Sequence, residues 1–340
     1  MAADSDSEPL DEAERAEGML GVARSVVSTC LDVRREDTVL VITDPMTSTI
    51  ARALYEAAAR ITERLILVMI PPSLKRGAEI PSVVADLMRN ADVIIIATRN
   101  SFTHTRARAN ASREGARIAS MPGIDAEVMA HGMTEDYTAL RREIRGMNSV
   151  FRRRRNVHVT TPAGTDVRFT TGSRWILDDN GLIVRPGAVG NLPAGKIFVL
   201  PQEGTASGTI VIDSTWEGRI LEEPLRFAVE DGLVTSIAGG ELADEIKEIL
   251  ELAKSGLRRN RGRAYTLAEF GWGMNSRAQG GLGNRVEDQV VRGSAYFSFG
   301  DNTALGGSAK VGVKMSGVMS KPSCTLDDIT LISEGKVTAS

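Results

Sequence analysis

The first half of the chain alternates between continuous apolar runs and segments with helical spacing. The apolar runs at 38–43 and 92–98 are rich in β-branched residues, which is typical of strands that are buried on both faces. Two further strands are predicted at 65–70 and 117–120, and helices are predicted at 47–61, 80–90, 106–116 and 133–147. Strands that alternate with helices form parallel sheets through right-handed crossovers. The pattern therefore predicts an α/β domain with a parallel sheet.

From residue 157 onward the pattern changes to short β-rich runs between glycine, proline and Asp-Gly breaks. The predicted strands span 157–161, 166–170, 196–200, 208–214, 224–229, 295–299 and 310–314. Asp231-Gly232 predicts a hairpin turn, and one amphipathic helix is predicted over 242–254. This half is predicted to be an α+β domain with a twisted, mostly antiparallel sheet.

A run of arginines, FRRRRN at 151–156, marks the change in composition. A chain of 340 residues is long enough for two domains, at roughly 100–200 residues each. We therefore predict a poorly ordered tail at 1–20, an α/β domain at 21–152 and an α+β domain at 153–340 that carries the functional site.

Composition excludes several classes of partner. The net charge is −3 and aromatic residues make up 4% of the chain, so neither a basic field nor a base-stacking surface is available for nucleic acid. The longest apolar runs are far shorter than the roughly 20 residues of a membrane helix, and the acidic start does not resemble a signal peptide. Two cysteines without metal or redox spacing fit a reducing compartment. We expect a cytoplasmic protein that binds a small-molecule substrate, with no nucleic-acid partner and no membrane association.

Few residues indicate chemistry by themselves. The three histidines are too few and too scattered for a conventional zinc hydrolase. His104 follows a predicted strand end, where a general base or ligand and a structural contact are equally reasonable interpretations. Glu269 lies in the apolar segment AEFGWGMN, where burial of a carboxylate requires a compensating partner or a function.

Five motifs of the second half occur together in one order. They are TPAGTDVRF (161–169), GNLPAGKIFVLP (190–201), AEFGWGMN (268–275), GSAYFSFGDN (293–302) and VKMSGVMSKP (313–322). Together they resemble the aminopeptidase T-type metallopeptidases, and still more their shorter relatives that include the 2,5-dihydroxypyridine dioxygenases. The segment 101–124 fits the first domain of the same group. The resemblance covers most of residues 30–335, and it implies the group's fold and a homo-oligomer.

The resemblance also implies metal chemistry, because the peptidases of this group bind two divalent ions and the dioxygenases bind one iron. Where the group has its metal-binding Glu, Glu, His, His and Asp, this chain has, in order, Lys196, Glu269, Tyr296, Lys314 and Ser316. Glu269 is the one ligand retained, and neither histidine nor the Asp of the dioxygenase set is kept. A lysine ammonium can neutralise a carboxylate but cannot coordinate a metal while it is protonated.

These departures lead to the hypothesis of a metal-independent enzyme without a cofactor, which hydrolyses a small amide, lactam or nitrogen-ring compound. Glu269, Lys196, Lys314 and Tyr296 are its predicted catalytic residues. His104, Ser316 and Asn302 are its predicted substrate-binding residues, and no residue is assigned to a metal.

Two alternatives remain open on the sequence. One is a divalent-metal-dependent aminopeptidase or ring-cleaving dioxygenase whose ligands have moved to other residues, drawn from Glu269, Glu287, Asp288, Asp301 and His104. The other is a non-catalytic binding or assembly protein, in which the two lysines only pair with acids left over from a lost site.

Overall fold

The computed structural model describes residues 12–72, 78–151, 154–171, 177–258, 261–281 and 283–338. These residues form two compact units. Unit 1 holds the described residues up to Thr134 together with Ile183–Gly190, and unit 2 holds the described residues of Glu135–Leu182 and those from Asn191 onward. Most of the predicted tail (1–11) and part of the predicted boundary (152 and 153) lie outside the described residues, so the division at 152/153 stays a prediction.

Helices and strands alternate through the described part of unit 1, and strands predominate in unit 2. The α-helices are α1 (Glu12–Ser25), α2 (Ser48–Ala59), α3 (Ser82–Arg89), α4 (Arg106–Arg113), α5 (Ala126–Ala130), α6 (Tyr137–Phe151), α7 (Gly240–Gly256) and α8 (Arg285–Asp288). The first strands are β1 (Val39–Thr43), β2 (Leu65–Met69), β3 (Val93–Thr98), β4 (Arg117–Pro122), β5 (Asn156–Thr160), β6 (Asp166–Thr170), β7 (Leu177–Asp179), β8 (Val189–Asn191), β9 (Lys196–Val199) and β10 (Ser207–Ile212). The remaining strands are β11 (Thr215–Trp216), β12 (Arg219–Ile220), β13 (Leu225–Glu230), β14 (Leu233–Ala238), β15 (Leu267–Gly273), β16 (Ala295–Gly300), β17 (Lys314–Met319), β18 (Ser323–Leu326), β19 (Ile329–Ser333) and β20 (Lys336–Val337).

Unit 1 is built on the predicted parallel sheet, which confirms the fold class of the first half. The strand order is β2-β1-β3-β4-β8, and β1 pairs in parallel with both β2 and β3. Every residue of β1 and of β3 is buried, as the continuous apolar runs predicted. Apolar residues of α3 and α4, among them Met88 and Ala111, lie in the same hydrophobic core as Ile94 and Ile96 of β3.

Unit 2 contains two antiparallel sheets in its described residues, not the one sheet that was predicted. An eight-stranded sheet has the order β14-β13-β10-β6-β5-β18-β19-β20, and a seven-stranded sheet has the order β12-β11-β17-β16-β15-β9-β7. Aromatic rings of the two sheets meet between them: Phe169 of β6 lies 5.6 Å from Phe270 of β15, and Phe227 of β13 lies 4.5 Å from Phe299 of β16, between ring centroids. The core of unit 2 therefore includes the space between the two sheets, where inward-facing aromatic side chains of both sheets meet.

One predicted strand is misplaced. The segment 310–313 is a loop, and the strand begins at Lys314 and continues to Met319. Gly312 has a φ of +79°, a left-handed conformation that ends extended structure. The carboxylate of Asp301 accepts hydrogen bonds from the backbone N–H groups of Val311 and Gly312, at 2.8 and 2.9 Å. These bonds hold the loop, so β17 starts four residues later than the apolar pattern suggests.

The helices of the described chain do not reach membrane dimensions. Within residues 12–338, apart from the short segments that the structure does not describe, no helix is both long enough and apolar enough to cross a bilayer. The longest of them, α7, spans 17 residues and carries charged side chains along its length.

Candidate active site

Five neighbouring strands of the seven-stranded sheet place ionisable side chains on one face. In the order β17, β16, β15, β9 and β7, these are Lys314, Tyr296, Glu269, Lys196 and Asp179, which we call the charged cluster. Residues that lie opposite each other in an antiparallel pair project to the same face, as do residues two apart along a strand. Lys196 is opposite Asp179, and Tyr296 is opposite Gly271, two residues from Glu269. Strand register alone therefore brings the cluster together.

Glu269 lies at the centre of the charged cluster with both of its carboxylate oxygens engaged. Its Oε1 accepts a hydrogen bond from the hydroxyl of Tyr296, and its Oε2 forms an ion pair with Nζ of Lys314. Burial alone would raise the pKa of Glu269, but the ammonium groups of Lys314 and Lys196 outweigh burial and hold that pKa below its ordinary value. Burial and the neighbouring carboxylate raise the pKa of Tyr296 well above its ordinary value. Glu269 is therefore an anion at neutral pH, and Tyr296 keeps the proton that it donates.

Lys196 is held differently from Lys314. Its Nζ donates a hydrogen bond to Oε1 of Gln289 at 2.9 Å. The same atom lies 5.3 Å from the ring centroid of Tyr296 and 5.7 Å from that of Phe198, over both rings. Burial lowers the pKa of Lys196, and the attraction of Glu269 opposes that effect. Lys196 is thus an amine that gives up its proton more readily than an exposed lysine.

Asp179 is a member of the cluster that the sequence analysis missed. It is only partly exposed, whereas its neighbour Asp178 is exposed. Burial raises the pKa of Asp179 to about 6, with the charge of Lys196 acting in the opposite direction. No motif marks this residue, and its proximity to Lys196 follows only from the pairing of β7 with β9. A carboxyl group with a pKa near neutrality can exchange protons at physiological pH.

A second ion pair adjoins the cluster at Ser316. Glu217 accepts a hydrogen bond from the backbone N–H of Ser316 at 2.7 Å, and it pairs with Nε of Arg285 at 3.2 Å. The hydroxyl of Ser316 lies 3.0 Å from that of Ser298, which is buried with it. Ser316 is therefore beside the cluster, two residues after Lys314, with its polar groups bound to the protein.

The other two predicted substrate-binding residues are not members of the charged cluster. His104 belongs to unit 1, in the segment between β3 and α4, whereas the cluster belongs to unit 2. Asn302 is fully buried; its amide donates to Glu203 at 3.1 Å, and its Oδ1 accepts from the backbone N–H of Ala309 at 2.8 Å. These contacts give Asn302 a role in holding a loop. The catalytic and binding roles assigned to all seven residues stay predictions.

The fold does not bring the candidate ligands of a relocated metal site close together. Across the part of the chain that the structure describes, no three His, Cys, Asp or Glu side chains converge as a metal site would require. Both oxygens of Glu269 are engaged by Tyr296 and Lys314, and Asp301 accepts hydrogen bonds from backbone N–H groups of its own loop. A protonated lysine has no lone pair to offer a metal. The described residues therefore give no support to a relocated ligand set, and the cluster does not fit the iron that the resemblance implies.

Gly271 makes room for the ring of Tyr296 and provides a test of the cluster's packing. A Cβ atom at Gly271 would lie 2.5 Å from Cζ and from the hydroxyl oxygen of Tyr296. We expect Gly271→Ala to displace the ring and to lower the free energy of unfolding by about 1–3 kcal/mol, the usual effect of overpacking. Chemical denaturation measures this change.

A matched control is Gly146→Ala in α6, where an added Cβ meets nothing within 4 Å. That substitution should raise stability by about 0.5–1 kcal/mol, because alanine is the better helix former. A Gly271→Ala protein as stable as the wild type would show that Tyr296 is not packed against the strand as described.

The chain is similar to known proteins in both sequence and structure. The family model described as 2,5-dihydroxypyridine 5,6-dioxygenase matches residues 19–339 of the chain. A curated 2,5-dihydroxypyridine 5,6-dioxygenase from Pseudomonas putida (strain KT2440) is 28% identical over 229 residues, which is 63% of this chain and 62% of that protein. The alignment therefore spans less than two thirds of the relative's length.

Two solved structures share the fold. The structure of the 2,5-dihydroxypyridine dioxygenase from Pseudomonas putida KT2440 has a TM-score of 0.77 at 21% identity and covers 98% of this chain and 99% of that one. Wild-type AmpT from Thermus thermophilus has a TM-score of 0.65 at 12% identity and covers 95% of this chain and 99% of that one. At these identities the likeness establishes the fold alone. The family match over residues 19–339 confirms the resemblance to the group that includes the 2,5-dihydroxypyridine dioxygenases.

The comparisons overturn the hypothesis of a metal-independent hydrolase. The matching family and the curated relative both carry the name of a dioxygenase, so the expectation of a metal-independent hydrolase is wrong. Of the interpretations left open on the sequence, the findings favour the ring-cleaving dioxygenase. The error arose because changed ligand positions show that a site has diverged, but they do not specify which bond the site acts on.

Proposed function

Because the chain belongs to the 2,5-dihydroxypyridine 5,6-dioxygenase family, we propose that it is an enzyme that opens a hydroxylated pyridine ring with dioxygen. The observation that carries the proposal is the family match over residues 19–339, which covers most of both units and includes every member of the charged cluster. The likeness to the solved dioxygenase over 98% of the chain supports it at the level of the fold.

The charged cluster supports the proposal through its ability to stabilise a ring anion. A hydroxylated ring is most reactive towards dioxygen after a ring hydroxyl has lost its proton, since the negative charge enriches the ring in electrons. Lys196 can stabilise that oxyanion, as fixed donors do in other active sites. Asp179, with a pKa of about 6, is suited to accept the hydroxyl proton. Lys314 and Tyr296 hold the carboxylate of Glu269 in place between them.

No step of the reaction is assigned to iron, since the donor set of the cluster does not fit that ion. We assign the binding and ionisation of the ring to the chain's own residues.

Two further expectations remain part of the proposal. The resemblance implies a homo-oligomer, and the composition suggests a cytoplasmic location, but neither enters the argument for the reaction.

The proposal is tested by following dioxygen and the aromatic ring together. Purified protein is mixed with 2,5-dihydroxypyridine in air, with and without added ferrous iron, while an oxygen electrode and the ring's ultraviolet absorption are recorded. We expect one dioxygen consumed per ring lost in at least one of the two arms. Heat-denatured protein is the control for spontaneous oxidation. Loss of neither dioxygen nor ring above that control in both arms would contradict the proposed function.

A further inference from the structure

Lys196 has hydrogen-bonding capacity that the protein does not use. An ammonium group has three N–H donors. Within the part of the chain that the structure describes, Nζ of Lys196 makes one hydrogen bond, to the neutral Oε1 of Gln289, and no ion pair within 4.0 Å. Two donors of this partly buried group are therefore available to a ligand.

The surroundings of Lys196 favour an anion as that ligand. The rings of Tyr296 and Phe198 flank the amine, and burial makes its charged form costly. The carboxylates of Glu269 and Asp179 influence its charge from beyond ion-pair distance. An oxyanion that accepts the two remaining N–H groups would offset the cost of burial through charge-assisted hydrogen bonds.

In two ion pairs of the site the cation is more exposed than the carboxylate. In the pair of Lys314 with Glu269, the lysine side chain is 25% exposed and the glutamate 5%. In the pair of Arg285 with Glu217, the arginine side chain is 41% exposed and the glutamate 7%. Each carboxylate is less exposed than its cation, so a ligand that reaches these pairs from solvent meets positive charge first. Such an arrangement attracts anions even though both pairs are neutral overall.

We infer that the charged cluster is a receptor for an oxyanion carried on an aromatic ring, with Lys196 as the binding group and Lys314 and Arg285 at its entrance. The inference rests on the proposed function for the identity of the ring. The oxyanion is either a ring carboxylate or an ionised ring hydroxyl, which share the same recognition chemistry.

The test is calorimetric binding to the full chain without dioxygen, so that no turnover is needed. The probes are 6-hydroxypyridine-3-carboxylate, its uncharged 3-carboxamide of the same shape, and 2,5-dihydroxypyridine. We expect the carboxylate to bind the wild type at least about tenfold more tightly than the carboxamide, since hydrogen bonds to charged groups are the stronger ones. Affinity for 2,5-dihydroxypyridine that rises as its hydroxyl ionises would identify the hydroxyl as the recognised anion, whereas tighter binding of the carboxylate at every pH would identify a carboxylated ring.

Variants of Lys196 decide whether this residue is the receptor. Lys196→Met and Lys196→Gln, each checked for folding by circular dichroism, should lose the preference for the carboxylate. Lys310→Met, which removes an exposed lysine of the same unit, should retain it. Two results would overturn the inference. One is equal binding of carboxylate and carboxamide to the wild type together with binding of 2,5-dihydroxypyridine that does not change as its hydroxyl ionises, and the other is an anion preference that survives in both Lys196 variants. Anion preference without ring opening in air would leave the inference intact and reject the proposed function. Ring opening without anion preference would leave the proposed function intact and reject the inference.

Discussion

Replacing Glu269 by glutamine is expected to lower the free energy of unfolding by about 3 kcal/mol. Removing one partner of a buried ion pair costs roughly 3–5 kcal/mol, because the other charge stays buried and uncompensated. We expect the lower end of that range, since Lys314 is 25% exposed and can turn partly towards water. Urea denaturation at pH 7, with the ligand-free protein, measures the change.

Two further variants distinguish the effect of losing the buried Glu269–Lys314 ion pair on stability from the effect of removing any one charge. Glu245→Gln removes a partner of Arg219 on the surface, where both side chains are more than half exposed, and it should cost less than about 1 kcal/mol. The double variant Glu269→Gln with Lys314→Met should be more stable than the sum of the single effects predicts, by about 1–3 kcal/mol. Additive effects, or a Glu269→Gln protein as stable as the wild type, would contradict the ion pair between Glu269 and Lys314.

The same substitution should also change the dependence of stability on pH. The pKa of Glu269 lies below its ordinary value in the folded protein, so its ionised form stabilises the fold above the ordinary carboxylate range. That contribution is lost as the pH falls through the lowered pKa. We therefore expect the stability difference between wild type and Glu269→Gln to be largest near neutral pH and to shrink in acid.

The sequence carried enough information to predict the fold class and most elements of unit 1. Continuous apolar runs become β1 and β3 because both faces of a parallel strand are covered by helices. In unit 2 the pattern of apolar residues predicts strands but does not indicate which strands share a sheet. Phe169 and Phe270 both have the pattern of buried strand residues, yet they lie in different sheets and meet across the core.

The charged cluster was predictable only in part. Motif positions identify Lys196, Glu269, Tyr296 and Lys314, and the fold places all four on neighbouring strands. Asp179 joins them through the register of a three-residue strand, and no sequence signal specifies that register. The reaction was predicted wrongly, because a changed set of ligand positions carries no information about the substrate. The five ordered motifs did predict the group, which the family match confirms, whereas the chemistry of single residues did not predict the reaction.

Lys196→Met is expected to have the largest effect on catalysis. In the proposed reaction Lys196 stabilises the developing ring oxyanion, and loss of one such donor lowers kcat by about 100- to 1000-fold in other enzymes. We expect kcat to fall more than KM changes, because the charge on the ring oxygen develops during the reaction. Methionine is an unbranched apolar side chain that can lie against the rings of Tyr296 and Phe198, so the fold should persist. Lys310→Met is the matched control and should turn over like the wild type.

The decisive measurement is therefore the rate of ring loss and dioxygen uptake by wild type, Lys196→Met and Lys310→Met, recorded side by side with 2,5-dihydroxypyridine. We predict coupled loss of ring and dioxygen in the wild type and in Lys310→Met, and a rate reduced by about two to three orders of magnitude in a folded Lys196→Met protein. Ring opening at the wild-type rate in Lys196→Met would contradict the assignment of the charged cluster as the place where the ring is activated.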